Sequence, residues 1–486
     1  MSRPTFPRMA ALKTAPLLRA HLDQNSIRIG FDETLVAGPA SPLGAAIDVD
    51  GVRIGNRFCV LPMEGWDGTL DGQPSEHTRR RWRRFGMSGA KLIWGGEAVA
   101  VRHDGRASPN QLLLSEGNQA SIAALRDELV QSHRTAFGAQ ADSDLYIGLQ
   151  LTHSGRFAKP NASDRPEPLT AGPHPVLDRR VPGDVPVLSD EDLDRLVEQF
   201  VVAAGRAAAC GFAFVDVKLC HGYLGHELIG ARQRPGRYGG SLENRLRFPR
   251  SIIEGIQATV PGLKIGVRLS AFDLVPYRKG PDGVGQPDGV APQDPPIGFG
   301  LADDGNLDAA LAESRHLIGM LERIGVRMIC VTGGSPYYCP HTQRPAFFPP
   351  ADGYLPPEDP LHGVARQIEA TAMLKAAFPA MTFVGSAYSY LQEWLPNVAQ
   401  YNVREGLTDF VGLGRVVLSY PDLPADVLAG RPLRRGDVCR TFSDCTTGPR
   451  LGFISGCYPL DAHYKAMPEA SKVLSVRTSM TAGESR

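Results

Sequence analysis

A few short stretches concentrate the side chains that could do chemistry together. Residues 149–156 read Leu-Gln-Leu-Thr-His-Ser-Gly-Arg, residues 217–224 read Val-Lys-Leu-Cys-His-Gly-Tyr-Leu, and residues 411–415 read Val-Gly-Leu-Gly-Arg. In the second, Lys218, His221 and Tyr223 follow at spacings of three and two, so an ammonium, an imidazole and a phenol share one strand end. A fixed ammonium favours a carboxylate, enolate or phenolate. A phenol, with an ordinary pKa of about 10, protonates only a strongly basic, carbanion-like centre. Gln150 offers an amide with both donor and acceptor, and Arg268 brings permanent positive charge. Gly385-Ser386 and Gly414-Arg415 join close backbone approach to a guanidinium fork, a combination suited to phosphate oxygens.

These groups need a scaffold that presents strand ends on one side. Short apolar runs rich in β-branched and aromatic residues predict eight strands: Arg57–Met63, Lys91–Val99, Leu145–His153, Phe214–His221, Lys264–Phe272, Arg327–Thr332, Thr382–Ser386 and Asp409–Gly414. Helical patterns alternate with them at Leu112–Ser132, Asp190–Ala209, Leu242–Val260, Leu307–Ile324, Val364–Phe378 and Leu391–Glu405. Ser189 with Asp192 reads as a capping box opening the second of these. Eight βα units predict an α/β fold, a (β/α)₈ barrel whose chemistry gathers at the C-terminal strand ends. An open doubly wound sheet is the alternative, but no Gly-x-Gly-x-x-Gly follows an early strand. Two long Pro/Gly-rich loops, Val275–Gly300 and Gly333–Pro360, read as lids. The second carries Tyr337, Tyr338, Phe347, Phe348 and Tyr354, which favours a packed one. Residues 1–40 read as an N-terminal extension, 41–430 as the barrel with its inserted loops, and 431–486 as a C-terminal tail.

Composition narrows the function classes. Across 486 residues, 52 basic side chains balance 52 acidic ones, which argues against a nucleic-acid binder held by phosphate neutralisation. The basic run Arg79–Arg84 reads as a solvated helix face. No apolar run approaches the length of a membrane span, and the N-terminus has no apolar signal core. The eight cysteines are scattered rather than framed as a secreted disulfide scaffold. The expectation is a cytoplasmic protein with a small-molecule substrate and neither nucleic acid nor membrane as partner.

With Tyr238–Arg245 (YGGSLENR) following the Lys218–Tyr223 segment, and with the strand ends quoted above, residues 41 to 465 resemble the Old Yellow Enzyme family of FMN-dependent NAD(P)H oxidoreductases. The likeness is to the branch containing the barrel of 2,4-dienoyl-CoA reductase and trimethylamine dehydrogenase. The resemblance implies that Pro62, Met63, Glu64 and Ala98 lie against the flavin ring, Ala98 being plain core otherwise. It implies Gln150 at the pyrimidine edge of the flavin and Arg268 beside the N1–C2=O region, where charge develops on reduction. Gly385, Ser386, Gly414 and Arg415 would take the phosphate. His221 would hold a substrate oxygen and Tyr223 would protonate carbon opposite the hydride, with NADH or NADPH as donor. Trp66 would line the substrate pocket.

Two positions depart from the family pattern. Lys218 stands where the family usually has His, and Glu64 where it often has Thr or Cys near the flavin O4/N5 edge. A carboxylate there disfavours an anionic reduced flavin, and the expectation is that Glu64 and Lys218 compensate one another across the pocket. The tail carries Cys439, Cys445 and Cys457, with Phe442 where multidomain relatives have a further cluster-binding cysteine. Three thiolates fall short of the usual four-cysteine iron–sulfur site, and zinc on them with His463 has poor spacing. The expectation is packed free thiols and neither a metal nor an iron–sulfur cluster.

The resulting expectation is an FMN-containing enzyme of ene-reductase type, reducing an electron-poor C=C conjugated to a carbonyl, with a homo-oligomer as a family tendency. Two rivals stand beside it. One is an FMN-dependent amine dehydrogenase or demethylase, which would want an aromatic cage for a cation and which Lys218 would repel. The other is a flavin-free phosphate-binding barrel or a regulatory protein.

Overall fold

A computed structural model of the chain describes residues 6–482 apart from 182, 184, 290–296 and 302–304. Eight parallel strands form a closed ring: β1 (Phe58–Val60), β2 (Leu92–Ile93), β3 (Tyr146–Thr152), β4 (Phe214–Leu219), β5 (Lys264–Ser270), β6 (Met328–Thr332), β7 (Thr382–Gly385) and β8 (Phe410–Leu413). Each pairs with its successor, and β8 returns to β1 through Val411↔Phe58, Gly412↔Cys59 and Leu413↔Val60. An additional short strand, Ala98–Ala100, continues the second unit and pairs with β3 through Ala98↔Gln150. Helices between the strands cover the ring, so the chain is an α/β protein with a (β/α)₈ barrel.

The strands read as continuous apolar runs because both of their faces are covered; every residue of β3 and β4 is buried. Inside the ring, Leu92, Trp94, Tyr146, Phe214, Met328 and Phe410 belong to one apolar cluster. The hairpin Ile47–Val49/Val52–Ile54 contributes Val49 and Ile54 to that cluster and stoppers the end opposite the strand C-termini. Tyr146 stacks on Phe214 with centroids 5.0 Å apart. A Cβ at Gly148 would fall inside the Phe214 ring, so this close approach demands glycine.

The helix Asp190–Ala209 begins on the expected box: Ser189 Oγ accepts from Asp192 N (3.1 Å) and Asp192 Oδ2 accepts from Ser189 N (2.9 Å). Other expectations need correction. The helix expected from Leu112 starts at Gln119. Its apolar opening is instead strand-like, with Ala100 N donating to Leu112 O and Leu114 N to Ala100 O. The pattern over 242–260 divides at Leu246 into Leu242–Arg245 and Arg247–Thr259. Pro249 has no N–H to return to Arg245 and so favours a fresh helix start there. The Arg79–Arg84 run does lie on a helix, Glu76–Gly86, but Arg81 is buried rather than solvated. The loop after β5 contains a small hairpin, Tyr277–Lys279/Gly285–Pro287, and its residues 290–296 lie outside the described residues.

The loop after β6 is packed. Tyr337 stacks on Phe157 at 3.9 Å, and Tyr354 O–H meets His341 Nδ1 at 2.7 Å. Beyond the barrel, the tail crosses the strand C-terminal mouth: Ser455 N donates to Gly65 O (3.0 Å), and Arg80 grips Asp461 with two hydrogen bonds. Phe442 packs against Phe348 with the Arg477 guanidinium over its ring. The N-terminal segment lies across the last quarter of the barrel, where Trp394 Nε1 donates to Leu12 O (2.6 Å) and His21 meets Asp359 (2.7 Å). Among the described residues no helix is long and apolar enough to cross a membrane.

Candidate active site

Strand register assembles the site. Lys218 on β4 is the register partner of Arg268 on β5, and Gln150 on β3 faces Asp216 on β4. The chain then leaves β4 through two consecutive left-handed residues, His221 (φ 66°) and Gly222 (φ 77°). A histidine in that conformation is held by its surroundings: its N–H donates to Ser270 Oγ (3.1 Å) and its C=O accepts from Ser335 Oγ (2.8 Å). The turn aims Tyr223 back across the mouth toward the segment after β1.

There Glu64 gathers three donors. Lys218 Nζ lies 2.6 Å from Oε1, Tyr223 O–H donates to Oε2 at 2.6 Å, and Trp66 Nε1 donates to Oε2 at 3.1 Å. The pairing of Glu64 with Lys218 expected from the sequence is present. Lys218 Nζ also sits 3.7 Å from the centroid of the Tyr223 ring, and Tyr223 O–H lies 3.1 Å from Tyr337 O–H. Burial first, and Glu64 second, push the Tyr223 phenol well above its ordinary value. Burial, reinforced by Arg268 and Lys218, holds His221 well below the usual imidazole range, so it is neutral at pH 7. Gln343 donates to His221 Nε2 (2.8 Å).

Beneath this pair the walls are polar and buried. Gln150 Nε2 donates to Asp216 Oδ2 (2.5 Å), and Asp216 Oδ1 accepts from Arg268 N (2.7 Å). Burial raises Asp216 to about 6. Burial likewise pushes the Cys220 and Cys330 thiols near Arg268 up to about 12, which keeps them protonated. Arg268 Nη1 reaches Pro62 O at 3.4 Å, while its buried Nε has no partner among the described residues.

A cavity of about 200 Å³ is lined by Pro62, Met63, Glu64, Trp66, Gln150, Lys218, His221, Tyr223 and Arg415, all singled out from sequence. Ala98, Arg268, Gly385, Ser386 and Gly414 occupy the surrounding strand ends without lining that cavity. Ala98 is fully buried in the wall, its C=O accepting from Gln111 Nε2 (2.8 Å). Cys445 lines the cavity, whereas Cys439 and Cys457 are buried beside it, and all are free thiols. Among the described residues no group of three His, Cys, Asp or Glu could hold a metal ion.

The lid and tail add residues that no sequence motif marks. Arg344 and Arg450 join Arg415 around the cavity, with Thr446 and Ser455 between them. Nothing local in sequence marks those two arginines; only the aromatic content of the lid hinted that it packs over the mouth. Arg344 bonds to Thr446 Oγ1, and burial beside Arg415 pulls its guanidinium down to about 10. Arg415 Nη2 donates to Pro345 O (2.6 Å), leaving Nη1 buried and unpartnered. Among the described residues the only acid lining the cavity, Glu64, is already paired. The lining therefore carries a surplus of positive charge and one guanidinium nitrogen, Arg415 Nη1, without a partner among the described residues, and a Cβ at Gly414 would meet no atom within 4 Å. Such a donor set fits a phosphorylated, carbonyl-bearing ring system. A groove of about 660 Å³ adjoins the cavity through Trp66, Tyr337, Pro449 and Arg450.

Comparison with known proteins agrees with this architecture. Residues 43–284 match the model of the NADH:flavin oxidoreductase / NADH oxidase family. An NADH:flavin oxidoreductase of Gibberella zeae is 32% identical over 252 residues, 48% of this chain and 57% of that protein. An NADPH dehydrogenase of Halalkalibacterium halodurans is 31% identical over 232 residues, 46% of this chain and 62% of that protein. The matched segments thus span less than two thirds of either relative. The solved old yellow enzyme homologue from Zymomonas mobilis superposes with a TM-score of 0.55 at 20% identity, covering 80% of this chain and 93% of that one. At that identity the likeness is one of fold.

Proposed function

Because the chain belongs to the NADH:flavin oxidoreductase / NADH oxidase family, we propose that it is an FMN-dependent NAD(P)H oxidoreductase reducing an activated C=C. The observation that carries this reading is the convergence of His221, Tyr223 and Lys218 over a cavity whose lining also carries Arg344, Arg415 and Arg450, with Arg415 Nη1 buried and without a partner among the described residues. FMN would be held by Arg415, Gly414, Gly385 and Ser386 at its phosphate, by Gln150 and Arg268 at its pyrimidine edge, and by Pro62, Met63 and Ala98 along its ring. When bound, it supplies hydride transfer between a nicotinamide and the substrate.

The chain's own residues do the rest. Neutral His221, oriented by Gln343, offers a hydrogen bond to a carbonyl oxygen without adding a charge that water would have to solvate. Lys218 is spoken for by Glu64, so it stabilises the pair rather than a free anion. Tyr223 is the proton donor, fixed by burial and by Glu64 and Tyr337. Trp66 and Tyr337 wall the cavity. The surplus cations around the mouth disfavour an amine cation as substrate, which argues for the reductive reading over amine oxidation.

The test is an absorption spectrum of the purified protein from 300 to 700 nm, then anaerobic addition of NADH or NADPH, then of an enone. Flavin bands that bleach with a nicotinamide and return with the enone support the reading. A colourless protein that takes up no FMN refutes it, and bands that bleach with neither nicotinamide favour amine oxidation.

A further inference from the structure

A phenol has one hydrogen, and in this structure Tyr223 commits it to Glu64. The acceptor, Glu64 Oε2, lies 2.6 Å away, and Lys218 completes the triad at Oε1. With Glu64 ionised, Tyr223 turns a lone pair, not a proton, toward the cavity. Delivering the proton to carbon then requires breaking a charge-assisted hydrogen bond, at a cost of about ten- to hundredfold in rate. With Glu64 protonated, the carboxylic acid donates to the phenol oxygen and the phenol hydrogen is released toward the substrate.

We propose that Glu64 is a proton-gating positioning residue, which acts through Tyr223 and whose own proton sets whether Tyr223 can donate. The proposal rests on the reductive reading above. The proton balance closes within the pair. Tyr223 loses its hydrogen to the substrate carbon as the O–H bond breaks and a C–H bond forms; the Glu64 hydrogen follows onto the phenolate; solvent then reloads Glu64. The two electrons arrive as the hydride that the reduced nicotinamide supplies. Exposure fits this order, since the Glu64 side chain is 14% exposed and Tyr223 only 2%. Lys218 spans both members, bonding the carboxylate and lying over the phenol ring, so it stabilises whichever carries the negative charge.

The groups facing Glu64 are Lys218 and Tyr223 from β4 and its turn, Tyr337 from the lid, and Trp66 on its own segment. Arg450 from the tail lies over the Tyr337 ring at 5.3 Å and pairs with Asp352. Behind the segment, Glu97 accepts from Gly65 N (2.9 Å) and pairs with Arg81, which also holds Asp67. Among the described residues Lys218 is the one cation in direct contact with the Glu64 carboxylate.

The experiment labels the purified protein with 3-fluorotyrosine and assigns residue 223 by difference from Tyr223→Phe. The fluorine resonance is followed from pH 4 to 9 in the wild type, Glu64→Gln and Lys218→Met. The expected wild-type result is one titration step. It should vanish in Glu64→Gln and move to higher pH in Lys218→Met, because losing the cation disfavours the carboxylate. In parallel, reoxidation of the reduced holoenzyme by an enone is timed across the same range. The wild-type rate should fall by up to about tenfold per pH unit above the step, and the Glu64→Gln rate should vary less than about twofold, as an amide cannot ionise. A step that persists in Glu64→Gln, or a missing step in the wild type, overturns the coupling. A lost step with parallel rate profiles leaves Glu64 a structural partner and overturns the gate. If the step behaves as expected but no enone is reduced, the reductive reading fails while the coupling stands.

Discussion

Replacing Arg81 by methionine tests how the site segment is held. Arg81 is 4% exposed and binds two carboxylates, Asp67 and Glu97, each 1% exposed. Burial pushes Glu97 up to about 8 against the opposing pull of the guanidinium, so near neutrality the trio balances one cation against one anion. In the Arg81→Met variant the buried pair of carboxyls loses its cation, keeping only neutral donors such as Thr78 Oγ1 on Asp67 and Gly65 N on Glu97, and the anion must take up a proton to stay inside. Protonating a carboxyl of ordinary pKa about 4 at pH 7 costs about 1.36 kcal/mol for each of three pH units, or about 4 kcal/mol. Loss of one partner from a buried pair costs a similar 3–5 kcal/mol. The penalty should shrink as protons become available, to about 1.5 kcal/mol at pH 5. Urea unfolding followed by tryptophan fluorescence at both pH values reads the difference directly. A deficit below about 1 kcal/mol at pH 7, or one equal at both pH values, would refute the reasoning. Because Glu97 also accepts from Gly65 N, the variant should, on the proposed reductive function, lose enone reduction beyond what its unfolded fraction explains.

Three further outcomes follow from the structure. A Cβ at Gly65 would fall inside the Arg81 guanidinium, so Gly65→Ala should displace Glu64 and, on the proposed reductive function, raise the KM for an enone, and a wild-type KM would show that the segment can yield. Burial raises Asp273 to about 7 from 3.8; between those values the folded state holds a proton that the unfolded state has released, so stability falls as pH rises. Asp273→Asn should therefore gain on the wild type from pH 4.5 to 7.5 by up to about 3 kcal/mol, and thermal unfolding that stays parallel across that window counts against it. Arg415→Ala should weaken FMN at least about tenfold, read by quenching of free-flavin fluorescence on titration.

The barrel was legible because its strands are buried on both faces, so each is a compact apolar run with little ambiguity of period. The strand ends were legible for the same reason: Gln150, Lys218 and Arg268 interrupt such runs with polar atoms that must be satisfied somewhere. Helix starts were less so, since Leu112–Leu114 is as apolar as a helix opening but bridges to Ala100 in the barrel wall. Arg81 was misjudged because a basic run looks the same whether its members meet water or buried carboxylates. The mutual attraction of Glu64 and Lys218, 154 residues apart, could be argued from charge alone. The roles of Arg344 and Arg450 could not, because the lid and tail carry no periodic pattern and reach the mouth only through tertiary packing.

The N-terminal strap has a consequence for how the chain is made. Trp394 donates to Leu12 O across 382 residues, and Leu18 and Leu22 are buried in the finished protein. At about 5–20 residues per second, a ribosome takes roughly 20 to 80 seconds to supply that partner. Over that interval the helix Ala15–Gln24 lacks its contact with Asp359 for most of the time, and β1 has no β8 to close against. The emerging chain thus carries Leu18 and Leu22 uncovered and one edge of β1 unpaired until β8 is synthesised, which makes barrel closure a late step.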